Sequence, residues 1–234
     1  MNDPSRQERE SVLQDILSEK SLWAVYRKSR SIPFSKLNNA AGAVVGIATC
    51  MASTCSANVQ QVADHLSALA GLAFNTSISL LGFLLAGFSF FATIADKSMF
   101  CQMAEIREEE SGLSYLKYNF YAFMRVFFEY SVIAVVSFVL VVAFQENSGT
   151  RSILLRYLDL KLESDGTICI LSCTLGLLAG SFTYLLFQLK SFIFNVFHVV
   201  MTTIRWALEE KYEKSESAAD SDSSDPASRT SQDQ

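Results

Sequence analysis

The chain is poor both in residues that punctuate structure and in residues that do chemistry. Three prolines and ten glycines in 234 residues exclude a loop-rich scaffold and a fibrous repeat. There is no Walker loop, GxGxxG, HExxH, GxSxG or DxDxDG pattern, and only two histidines are present. A hydrolase or metalloenzyme needs converging acid, base or metal groups, and few candidates exist. We therefore expect no catalytic residue, no cofactor and no metal. His65 stands beside Asp64 in a short loop, and His198, on an apolar helical face, reads as structural. None of the five cysteines forms a CxxC pair, and the odd count argues against a disulfide framework. Cys169 and Cys173, four apart in an apolar run, read as small hydrophobes. Residues 1–38 are polar and hold seven Lys/Arg, which does not read as a signal peptide. Neither a myristoylation pattern nor a CaaX box is seen.

Charge is also scarce, at 18% of residues. It is gathered at the two ends and in two internal stretches. Eight of the 24 acids lie beyond Ala207, so the net charge of −5 is largely a tail property. No nucleic-acid partner follows from it.

Hydrophobic residues make up 50% of the chain, mean hydropathy is +0.24, and the apolar residues fall in long runs. The pattern predicts an all-α, four-transmembrane-helix integral membrane protein within 39–189, with spans at about 39–57, 67–95, 123–144 and 168–189. The first span has no charge but is only moderately apolar, so it should face other helices more than lipid. Gly42 and Gly46 in that span, Gly82 and Ala86 in the second, and Gly176 and Gly180 in the fourth repeat the small-xxx-small spacing. Small residues let helices approach closely where lipid offers no hydrophobic drive to associate. We expect a homo-oligomer packed through the Gly42/Gly46 and Gly176/Gly180 faces. Serines and threonines within the spans should form interhelical hydrogen bonds more often than line a pore.

Arg125 and Glu129 sit four apart at the start of the third span. An intramembrane ion pair there would be a functional site by default. Because both lie close to the boundary, an interfacial pair with a snorkelling arginine is the favoured reading.

Outside the spans, 8–30 reads as an amphipathic helix, with Val12, Leu13, Ile16, Leu17, Trp23 and Tyr26 at helical spacing. The basic cluster Arg27, Lys28 and Arg30 follows it. Such a helix suits an anionic lipid surface or a protein partner equally. Residues 58–66 read as a short loop, and 145–167 as a polar connection whose short helix closes near Gly166. Residues 190–213 continue the fourth span as a helical extension. Residues 214–234 lack any large apolar group and read as a disordered acidic tail. Lys/Arg residues number seven, three and five in the segments placed on one side, against three on the other. That asymmetry puts both termini in the cytoplasm.

The stretch GFLLAGFSFFATIADKSMF, residues 82–100, resembles the second helix and exit of small four-span bacterial membrane proteins encoded in defence islands. It is most similar to the membrane subunits (KwaA) of the Kiwa antiphage system. The resemblance covers size, four spans and cytoplasmic termini, and it carries no catalytic motif or functional residue across. It implies an oligomeric protein of the bacterial inner membrane. It also implies a KwaB-like cytoplasmic partner that acts on phage DNA, with the membrane subunit sensing or anchoring. The expected function is thus a non-enzymatic membrane sensor or scaffold. The alternatives are a depolarising pore or a small-solute transporter.

Overall fold

A computed structural model describes residues 21–30, 35–55, 58–94, 97–107, 112–146 and 148–223. Among the described residues every regular element is an α-helix. They are α1 (Leu22–Ser29), α2 (Lys36–Thr54), α3 (Val59–Ile94), α4 (Lys97–Glu105), α5 (Tyr115–Phe144) and α6 (Gly149–Ser223). Three starts are set by serine N-caps. Ser21 Oγ accepts from the Ala24 amide at 3.2 Å, Ser35 Oγ from Asn38 at 3.5 Å and Ser114 Oγ from Lys117 at 3.4 Å. Each satisfies an amide that the first turn cannot. Gly112, at φ 66, turns the chain into α5, and the Tyr115 amide bonds the Ile106 carbonyl at 2.8 Å.

Three helices are long and apolar enough to cross a membrane: Val59–Ser89 within α3, Tyr115–Phe144, and Ser164–Glu209 within α6, with mean hydropathies of 1.8, 2.4 and 1.8. By length and composition this is a multi-pass membrane protein. The predicted first span is helical as α2 but falls short of these three, diluted by Asn38, Asn39, Thr49, Ser53 and Thr54. Contrary to expectation, much of α2 is not covered by other helices. Leu37, Val44, Val45, Ile47 and Met51 are exposed, because only its glycine face meets a neighbour.

Several boundaries differ from the sequence reading. The loop expected at 58–66 is the first part of α3, and His65 lies exposed on it. Helix α5 begins at Tyr115, ahead of its apolar core. No break separates the 145–167 segment from the fourth span. Gly166 sits inside α6, since adding residues to an existing helix avoids nucleation and one interior glycine costs only about 1 kcal/mol. The same propagation carries α6 to Ser223, ten residues into the predicted disordered tail. The rest of that tail, and residues 8–20 of the predicted amphipathic helix, lie outside the described residues.

Two compact units are present, Met1–Phe192 and Ile193–Gln234. In the first, Val62, Ala63, Leu66 and Ala70 of α3 pack with Leu171, Leu175, Leu178 and Phe182 of α6. A second cluster joins Leu84, Phe123, Val126, Tyr130 and Leu185. Phe88 stacks on Phe123 at 4.8 Å beside it. Arg151 at the start of α6 pairs with Asp64 of α3 at 2.6 Å and donates to the Gln60 side chain at 2.8 Å. Helix α1 lies on α5 through Tyr26 and Phe128, whose rings are 4.2 Å apart. In the second unit, His198 meets Phe194 edge-on at 4.5 Å, and Arg205 pairs with Glu209 at 2.7 Å.

Several hydroxyls in the apolar helices bond their own backbone, not a neighbouring helix. Ser79 donates to the Asn75 carbonyl, Ser131 to Phe127 and Thr174 to Ile170, at 2.8–2.9 Å. The carbonyl four residues back is close whatever the neighbour does, although the buried hydroxyls of Ser77, Ser137 and Ser172 make no hydrogen bond among the described residues. An exception is Tyr130, fully buried, whose hydroxyl donates across to the Leu185 carbonyl at 2.9 Å. Tyr130→Phe should cost roughly 1 kcal/mol, the net worth of one such bond. Thermal unfolding in detergent would measure it; no shift would mean that the bond adds nothing to the solubilised fold.

Candidate functional site

Helices α2 and α6 cross on four glycines. A Cβ built on Gly180 would sit 2.7 Å from the Gly42 carbonyl oxygen, and one on Gly176 would sit 2.6 Å from that of Gly46. The reverse contacts from Gly42 and Gly46 would be 2.8 and 2.9 Å. The two backbones therefore touch, in antiparallel step. These four glycines meet within one chain, where the sequence led us to expect them between copies. Their contact needs no oligomer, since the two GxxxG spans complete each other. Gly82 has nothing within 4 Å of its Cβ position, and Ala86 is exposed; that pair makes no such intrachain crossing.

The crossing floors a groove of about 690 Å³ between α1, α2, α5 and α6. Ile47, Val132, Ile133, Leu177 and Leu185 give it apolar walls. Tyr26, Asn39, Glu129, Ser181 and Tyr184 add polar groups. Its size falls within the range of small-molecule sites.

Glu129 belongs to an ion pair that the 3.6-residue helical period sets up. Arg125 Nε donates to Glu129 Oε1 at 3.1 Å, one turn along α5. The two side chains are only 6% and 16% exposed. The arginine does not reach outward as a snorkelling residue would. It turns inward instead, toward α6, where its guanidinium donates to the Tyr184 hydroxyl at 3.5 Å. Gln188, one turn beyond Tyr184, stands beside the carboxylate. Among the described residues, Glu129 Oε2 and Gln188 Oε1 are buried acceptors with no hydrogen bond.

No family model, curated protein or solved structure matches this chain. The site must therefore be read from its own geometry.

The groove also brings together two thiols, of which the sequence reading took Cys173 as packing and gave Cys50 no role. Cys50 Sγ and Cys173 Sγ are 3.7 Å apart across the α2–α6 crossing. The antiparallel step explains this, because Cys50 lies four residues past Gly46 and Cys173 three before Gly176. Aligning the two GxxxG segments in opposite directions would have exposed the pair. Tyr184 was missed for another reason: only the fold shows that its face of α6 meets Arg125. The basic cluster is at the end of α1, with Arg27, Lys28 and Arg30 exposed. No group of three or more metal-ligating residues converges among the described residues.

Proposed function

We propose that this protein is a four-span component of the bacterial inner membrane, with both termini cytoplasmic, that senses a membrane event for a cytoplasmic antiphage effector. The observation that carries the reading is the groove whose wall holds Glu129, one member of a buried ion pair. Ionisable groups inside apolar helices are costly and are kept where they serve a function. A groove lined by both lipid-like and polar groups suits detection of something that enters from the bilayer. The outward aliphatic face of α2, with Val44, Ile47 and Met51, supports its insertion as the fourth span. The Lys/Arg excess supports the orientation. On this reading the Arg27, Lys28 and Arg30 cluster and the stretch beyond residue 190 face the cytoplasm, where anionic lipid and a KwaB-like partner are met. The exposed Gly82/Ala86 strip is the face left for a homo-oligomer.

Phage challenge tests the reading directly. Cells carrying this gene with its genomic neighbours should resist phage, and cells carrying it alone should not. Protection by this gene alone would favour a self-sufficient pore, and ion flux through reconstituted protein would then decide. No protection across a varied phage panel would overturn the defence role.

A further inference from the structure

We propose that Cys50 and Cys173 form a redox-active pair that closes to an intrachain disulfide and clasps α2 to α6 at the groove. Their sulfurs are 3.7 Å apart, so a side-chain rotation reaches bonding distance, about 2.05 Å. The glycine crossing is what permits this. It brings the backbones close enough that a Cβ on Gly176 would lie 2.7 Å from the Cys50 Cβ. Both cysteines line the groove, and they lie 123 residues apart in sequence. The bond would therefore add a covalent tie between segments that otherwise meet by packing and by the Asn38–Ser191 hydrogen bond at 3.3 Å.

The chemistry is thiol–disulfide exchange with an external disulfide as oxidant. Cys173, the more exposed of the two, attacks as thiolate and expels one thiol of the oxidant, leaving a mixed disulfide. Cys50 then attacks the Cys173 sulfur and expels the second thiol. Two electrons and two protons pass to the oxidant, which leaves as two thiols. Cys50 is one turn from the end of α2 at Thr54, near the end of the helix and not at its middle. On the orientation proposed above, that end faces the oxidising side of the inner membrane. The pairing itself does not depend on that orientation.

The test treats membranes, and separately the protein in detergent, with hydroxyethyl disulfide. Proteolysis without reductant and mass spectrometry follow. A Cys50–Cys173 linked peptide from monomeric protein is expected, in the wild type and equally in Cys169→Ser. Cys50→Ser and Cys173→Ser should each abolish it. Absence of that peptide in both membranes and detergent would overturn the proposal, as would a Cys169–Cys173 link in its place. A Cys50 bond found only between two chains would do the same. None of these outcomes needs phage, so failure here is distinct from failure of the defence role.

Discussion

Glu129→Leu destabilises the protein by roughly 3–5 kcal/mol, the usual cost of leaving one member of a buried ion pair behind. Arg125 then keeps its buried place without its carboxylate, and the Tyr184 hydroxyl at 3.5 Å is a neutral contact that does not replace the lost charge. The double replacement Arg125→Met with Glu129→Leu should recover most of the loss, because a well-packed apolar pair of similar volume often matches or exceeds a buried ion pair. A double-mutant cycle on thermal unfolding in detergent isolates the coupling. A stable Glu129→Leu single variant would show that Arg125 escapes to the membrane surface, which is the interfacial reading that the sequence favours. A double variant that is stable but no longer supports phage resistance would separate the function of the pair from its part in folding.

Gly180→Leu has a comparable effect through space instead of charge. The first added carbon already lies 2.7 Å from the Gly42 carbonyl oxygen and 3.2 Å from the Gly46 Cα. Both are backbone atoms and cannot rotate away, so α2 must lift off α6. Overpacking typically costs about 1–3 kcal/mol, and a backbone neighbour puts this case at the upper end or beyond. Two readouts should move together: a lower unfolding temperature and loss of the Cys50–Cys173 link under oxidant. Gly82→Leu is the control, since nothing lies within 4 Å of that Cβ position. It should leave both readouts unchanged while altering oligomer mass if the Gly82/Ala86 strip joins copies. If Gly180→Leu leaves the unfolding temperature and the link intact, α2 does not pack on α6 as described.

Helical class, apolar runs and the i, i+4 pair were all legible locally. Periodicity and run length depend on neighbours in sequence, and so does the reach from Arg125 to Glu129. Boundaries were less legible. Gly166 reads as a stop and the tail beyond 214 as too polar to order, yet α6 continues through both to Ser223. The cost of an unfavourable residue is small once a helix is running. The hydroxyls show the opposite kind of error. Several bonds expected between helices are made within one, as by Ser79, Ser131 and Thr174, because the near carbonyl is close at hand.

What the sequence by itself determined is that this chain is helical, that at least three of its helices suit a bilayer, and that small residues would let some of them approach closely. What it left open is which face meets which. Two GxxxG segments are equally consistent with two chains or with one chain folded on itself. In the tertiary structure the crossing is made within the chain: α2 runs antiparallel along α6, Gly42 meets Gly180 and Gly46 meets Gly176. That crossing sets Cys50 against Cys173, while the packing of α5 on α6 sets Tyr184 against Arg125. The physical reason is that close packing is a property of pairs of surfaces. Spacing along one helix marks a surface as able to pack, and only the fold selects its partner.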